Sequence, residues 1–80
     1  MNMLEDIRIR IIKIRYDYGY TQKDIAKLSG IKFGTYRKIE SGNRTTICVR
    51  EILQLCKAYK LESADYFLFG KESMKKEHSN

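Results

Sequence analysis

The sequence is short of most residues that support catalysis, cross-linking or membrane crossing. Its eighty residues include no proline, no tryptophan, two cysteines and one histidine. The histidine, His78, stands in the terminal run KESMKKEHSN, and no carboxylate pair or nucleophile–base arrangement accompanies it. The expectation is therefore a protein that is not an enzyme. No glycine-rich phosphate loop occurs. Cys48 and Cys56 fall on one predicted helix, about 12 Å apart at roughly 1.5 Å per residue, which exceeds the roughly 7 Å Cα limit for a disulfide. Two thiols without a neighbouring Cys or His also make a poor zinc site, so reduced thiols, no metal and no cofactor are expected. No apolar run approaches the roughly 20 residues of a membrane span. The first fifteen residues alternate cations with isoleucines and lack a secretory h-region, so a cytoplasmic location is expected. Repeats and low-complexity stretches are also missing, which leaves an ordinary globular chain.

Apolar residues, at 42%, are enough to argue against disorder, and eighty residues make one domain. The net charge is +6 and unevenly placed. Residues 21–47 carry Lys23, Lys27, Lys32, Arg37, Lys38 and Arg44 against Asp24 and Glu40, a surplus of +4. Residues 48–70 balance to zero. Clustered cations release counterions from a phosphate backbone, so this segment is the candidate nucleic-acid surface.

That segment contains TQKDIAKLSGIKFGTYRKIESG, Thr21 to Gly42. It reads as two short helices joined at Ser29-Gly30-Ile31, with the second loaded with cations. This is the pattern of a helix-turn-helix, whose second helix lies in the DNA major groove. Around it the periodicity predicts helix 1 from about Met3 to Tyr18, with Leu4, Ile7, Ile11, Ile14 and Tyr18 as one apolar stripe and Gly19 as its end. Helix 2 starts at Thr21 as N-cap, with Asp24 completing a capping-box-like pair and Ile25, Ala26 and Leu28 facing inward. Tyr20 is expected to pack as the staple before that cap, and Tyr18 to be core. Helix 3 is expected over about Lys32 to Ser41, burying Ile31, Tyr36 and Ile39 and exposing Lys32, Phe33, Thr35, Arg37 and Lys38. Helix 4, capped by Thr45 or Thr46, is expected from about Ile47 to Tyr59 with a broad apolar face of Val49, Ile52, Leu53, Leu55, Cys56 and Tyr59. Ser63 caps a short helix 5 over Ala64 to Leu68, ending at Gly70. The folded domain is thus expected over residues 1–70, with 71–80 a polar, frayed tail.

Arg15, Gly19, Thr21-Gln22, Ile25-Ala26, Gly30, Ile39-Glu40-Ser41-Gly42 and Asp65-Tyr66-Phe67-Leu68 together resemble the phage-repressor and Cro-like helix-turn-helix proteins, the XRE family. The resemblance covers about Ile7 to Gly70. It implies an all-α, five-helix, lambda-repressor-like DNA-binding domain. It further implies transcriptional regulation at double-stranded operator DNA, more readily as a repressor, by a homodimer whose half-sites lie about one helical turn apart.

By position, the resemblance puts base-reading roles on Lys32, Phe33, Gly34 and Lys38. Phosphate-holding roles fall on Gln22 at the start of helix 2, beside the Thr21 cap, and on Ser41, Asn43 and Arg44 after helix 3. Arg15 and Glu40 match an internal ion pair between helices 1 and 3. Two departures stand out. Phe33 and Gly34 occupy slots that often hold glutamine, serine or threonine, and the link from Glu40 to helix 4 is about one residue longer than the family pattern. Phe33 has nothing to hydrogen-bond a base edge but can pack on a thymine methyl. Gly34 inside a helix costs roughly 1 kcal/mol relative to alanine, for which closer approach to DNA is one return and a neutral drift the other reading. For Lys32 and Lys38, guanine O6/N7 and phosphate are both open as targets. Thr35 has phosphate or a base, and Arg37 a phosphate.

Ile9, Ile12 and Tyr16 form a second apolar stripe on helix 1, opposite the core stripe at about 100° per residue. A possible protein interface, coverage by a chain end, and scattered surface residues are all open. If the stripe is an interface, the chain is alternatively an antitoxin that also binds a toxin partner. A protein-interaction module that retains the fold without binding DNA is a further alternative, against which the +4 surplus on the motif speaks.

Overall fold

A computed structural model describes residues 2–71. Five helices follow in order: α1 Met3–Tyr18, α2 Gln22–Ser29, α3 Phe33–Ser41, α4 Val49–Tyr59 and α5 Asp65–Phe69. No strand occurs among the described residues. The polar tail expected over 71–80 lies, apart from Lys71, outside the described residues.

Each helix start has a local cause. Asn2 caps α1, its side chain accepting from the Glu5 N–H at 3.1 Å, and Glu5 and Asp6 complement the dipole of the first turn. Thr21 and Asp24 form a reciprocal capping box on α2, Asp24 N to Thr21 Oγ1 at 3.1 Å and Thr21 N to Asp24 Oδ2 at 2.8 Å. Gly30 ends α2 at φ +80 and lets the chain turn sharply into α3.

One core joins the helices. Ile7, Ile11 and Ile14 of α1 meet Ile25 and Ala26 of α2, Ile31, Tyr36 and Ile39 around α3, Ile52, Leu55, Cys56 and Tyr59 of α4, and Phe67 of α5. Helix α2 packs on α3 and α4, while α1 packs on α3 and α5. Polar ties fix the outer helices to α1. Arg10 Nη1 donates to the Phe67 carbonyl at 3.0 Å, and Arg8 Nη1 donates to the Glu40 carbonyl at 2.8 Å.

Several side chains depart from the sequence expectation. Helix α4 begins at Val49, after Cys48, and neither Thr45 nor Thr46 caps it. Its start is fixed by Glu51, whose carboxylate accepts from the Cys48 N–H at 3.1 Å. Ile47 remains outside the helix yet packs against the core. Leu28, Val49 and Leu53 are exposed. Leu28 and Leu53 each lie about 100° or more from the centre of their helix's buried face, and Val49 sits in the first turn. Tyr18, the last residue of α1, is 46% exposed, although its ring meets the Tyr59 ring edge-on at 5.0 Å. Lys32 is the N-cap of α3 and not its first turn. In α5 the N-cap is Ala64, but Ser63 Oγ still accepts from the Asp65 N–H at 3.2 Å.

Candidate nucleic-acid interface

Helix α3 divides by its own periodicity into two faces. Tyr36, Ile39 and Glu40 turn inward, while Lys32, Phe33, Gly34, Arg37 and Lys38 are exposed and Thr35 is half-buried. Among the described residues, neither Lys32 nor Lys38 joins an ion pair. Their charge is uncommitted and faces solvent.

Behind this face sits a polar hub on Glu40. Arg15 holds it bidentately, Nε to Oε2 at 2.6 Å and Nη2 to Oε1 at 2.9 Å, with the two side chains only 10% and 6% exposed. The Tyr36 hydroxyl donates to Oε2, and Gln22 Nε2 donates to Oε1 at 2.9 Å. Burial alone would raise the Glu40 pKa, but the donors from Arg15, Tyr36 and Gln22 outweigh it and hold the carboxyl below its ordinary 4.5. The hydrogen bonds to Glu40 raise Arg15, while burial and then Glu40 raise the Tyr36 hydroxyl. Glu40 thus ties α1, α2 and α3 together immediately under the exposed face.

An open groove runs along this face, lined by Gln22, Gly34, Arg37, Lys38, Glu40, Ser41 and Asn43. It brings together most of the residues expected to meet DNA. Gln22 enters it with one amide proton already given to Glu40. Ser41 gives its hydroxyl proton to the Lys38 carbonyl at 2.8 Å, and its oxygen accepts from the Asn43 N–H at 3.1 Å. It therefore shapes the turn after α3 and has no proton left for a phosphate. Thr21 Oγ1 is occupied by the α2 cap.

Thr21, Lys32, Phe33, Thr35 and Arg44 do not line this groove, and Arg44 and Phe33 are engaged elsewhere. Arg44, expected at a phosphate, donates through Nη1 to Glu51 Oε2 at 3.0 Å and lines a separate small cavity with Asn2, Glu5 and Arg8. The same carboxylate that starts α4 captures it, and Arg44 holds Glu51 below the usual carboxylate range against the opposing effect of burial. Phe33, at the first position of α3, lines a different groove with Lys23, Ala26, Lys27 and Ile31. Lys23 Nζ and Arg37 Cζ lie over its ring at 5.8 and 5.7 Å from the centroid.

Sequence reasoning passed over Lys23 and Arg8. Arg8 is invisible as a site residue because its role, holding the α3 C-terminal carbonyl, depends on tertiary placement. Arg37 follows Phe33 by four residues, a spacing that brings side chains together on a helix and was readable in advance. On α1, Ile9 and Tyr16 are exposed and Ile12 is half-buried. Among the described residues, no group of three or more His, Cys, Asp or Glu side chains can hold a metal, and no helix is long and apolar enough to cross a membrane.

No solved structure matches the chain to a significant degree. Among curated proteins it is similar to the glutamine–fructose-6-phosphate aminotransferase (isomerizing) of Methanocaldococcus jannaschii, at 38% identity over 55 residues. That stretch is 69% of this chain and 5% of the relative, so the likeness is local. The Helix-turn-helix family model matches residues 11–67, which runs from the core of α1 to Phe67 of α5 and includes the whole exposed face of α3. The chain belongs to this family, the XRE/Cro type of DNA-binding helix-turn-helix regulators.

Proposed function

We propose that the protein is a sequence-specific, double-stranded-DNA-binding transcriptional repressor that inserts α3 into the major groove. The observation that carries this reading is the outer face of α3. Lys32, Phe33, Gly34 and Lys38 all reach solvent at the end and flank of a helix whose other side is locked into the core. Lys32 and Lys38 donate to base-edge acceptors or phosphates, Phe33 supplies apolar contact, and Gly34 keeps the backbone close to the groove. Gln22 with the N-terminus of α2, Thr21, Thr35, Arg37 and Asn43 follow the flanking phosphates, Asn43 through its side-chain amide, while Ser41 shapes the turn that holds Asn43. Arg44 is left out, because Glu51 neutralises it. The protein acts in the cytoplasm as a homodimer on a two-fold operator. The domain is residues 1–70, and 71–80 are an appended polar tail.

Selection of bound sequences from a random duplex pool, followed by fluorescence anisotropy on the winner at two salt concentrations, tests this. The reading expects an enriched palindrome whose affinity falls in Lys32→Ala and Lys38→Ala. Weak binding that is uniform across sequences and vanishes with modest salt would overturn it.

A second reading has one observation in its favour, the exposure of Ile9 and Tyr16 on α1. In that reading the same chain is an antitoxin, binding DNA through α3 and a protein partner through the Ile9/Ile12/Tyr16 stripe.

A further inference from the structure

We propose that Phe33 reads the 5-methyl group of a pyrimidine in the major groove. The inference rests on the DNA-reading role of α3 stated above and names what one of its positions recognises.

Phe33 is the first residue of α3 and 39% exposed, so its ring reaches solvent at the start of the helix. It has no donor or acceptor. Against a base-edge amine or carbonyl it would strip water without replacing the hydrogen bond, which is unfavourable. The one major-groove group that rewards an apolar surface is the pyrimidine methyl.

The neighbours of the ring favour this contact over the other uses of an exposed aromatic. Stacking on a base, or wedging between base steps, needs a ring face free to receive the base. Here Lys23 and Arg37 both bring cations over the ring, from α2 and from the next turn of α3. A base stacking on the ring would have to displace these cations, whereas a methyl meeting the ring's exposed part need not. The cations also place positive charge beside an apolar contact, where phosphates lie on either side of a base edge.

Gly34 allows close approach of the backbone. A Cβ built at Gly34 meets nothing within 4 Å, so the fold itself has no use for a glycine there. Gly34 lines the groove beside Arg37 and Lys38, not the one that Phe33 lines, and its bare backbone lets α3 approach the base edges closely enough for the Phe33 ring to reach a methyl. Gly34→Ala would hold the helix further off.

The test uses the full chain and the duplex recovered by selection. Each thymine is replaced singly by deoxyuridine, which removes only the methyl. At one position per half-site the affinity should fall about fourfold, the equivalent of one buried methyl group. Phe33→Ala should bind more weakly and be insensitive to that substitution, and Phe33→Leu should keep the sensitivity. Cytosine at the same position should weaken binding, and 5-methylcytosine should recover about fourfold of the loss. If uracil costs the same in wild type and Phe33→Ala, another group reads the methyl and the proposal fails. If no thymine is sensitive, or 5-methylcytosine recovers nothing, it fails while the major-groove reading stands. If no duplex is selected at all, both fail.

Discussion

Replacing Glu40 by glutamine should destabilise the fold far more than its single-atom change suggests. The substitution keeps the shape of the side chain and an oxygen that accepts from Tyr36, but it removes the charge that Arg15 faces. Arg15 is then a buried guanidinium with no counter-charge, left with the Tyr20 carbonyl, which accepts from Nη1 at 3.0 Å, and the Tyr16 ring, whose centroid lies 4.7 Å from Cζ. Breaking a buried pair by neutralising one member costs roughly 3–5 kcal/mol. The surviving bond to Tyr20 argues for the lower end, about 3 kcal/mol. A chain of eighty residues has a total stability of roughly 4–12 kcal/mol, so the variant loses between a quarter and most of it. Urea unfolding followed by far-ultraviolet circular dichroism at neutral pH measures the difference. The double variant Arg15→Met, Glu40→Gln removes the stranded cation and should recover at least half the loss. The pH dependence gives a second check. Glu40 is held below its ordinary 4.5, so its contribution is complete above that value and is lost as pH falls through the lower folded-state pKa. The gap between wild type and Glu40→Gln should therefore narrow on acidification below about pH 4.5. A loss under about 1 kcal/mol at neutral pH, the size of a surface pair, would refute the hub's structural weight. So would additive losses in the double variant.

Other consequences are smaller and separable. Gly34→Ala should raise stability by about 0.5–1 kcal/mol in thermal melts, because the added methyl meets open space, and should weaken binding to the selected duplex. Unchanged affinity would mean that binding does not need the bare backbone at Gly34. Tyr59→Phe should leave stability unchanged or raise it by about 1 kcal/mol, since the Tyr59 hydroxyl is buried without a partner among the described residues and burial pushes its pKa up. Clear destabilisation in urea would show that the hydroxyl is bonded after all. Ile12→Lys should leave folding intact and, if the α1 stripe is an interface, shift the sedimentation coefficient of the assembly; an unchanged coefficient dismisses that role.

Helix order and the core were legible because they depend on near neighbours in sequence. The three-and-four spacing of Ile7, Ile11 and Ile14, the Thr21–Asp24 box and the glycines at 19, 30 and 42 each act within a turn or two. The reading failed where burial depends on which way a helix is rolled. Leu28 and Leu53 are apolar but lie off the stripe that the neighbouring helices cover. It also failed at the start of α4, where two threonines advertised a cap and a glutamate three residues past Cys48 supplied it. For the candidate site, α3 as the exposed cationic helix was legible from charge placement and spacing. Three-dimensional pairing was not. That Gln22 is shared with Glu40, that Arg44 is captured by Glu51, and that Lys23 crosses from α2 to the Phe33 ring are all contacts between elements, with no sequence period to announce them.

The central claim is that α3 lies in the major groove, and dimethyl sulfate footprinting of the selected duplex tests it most directly. The reagent methylates guanine N7 in the major groove and adenine N3 in the minor groove, so one experiment reads both. The account predicts protection of guanine N7 at symmetric positions about one helical turn apart, lost in Lys32→Ala or Lys38→Ala, with adenine N3 still reactive there. Protection confined to adenine N3, or guanine N7 left fully reactive under saturating protein, would contradict it.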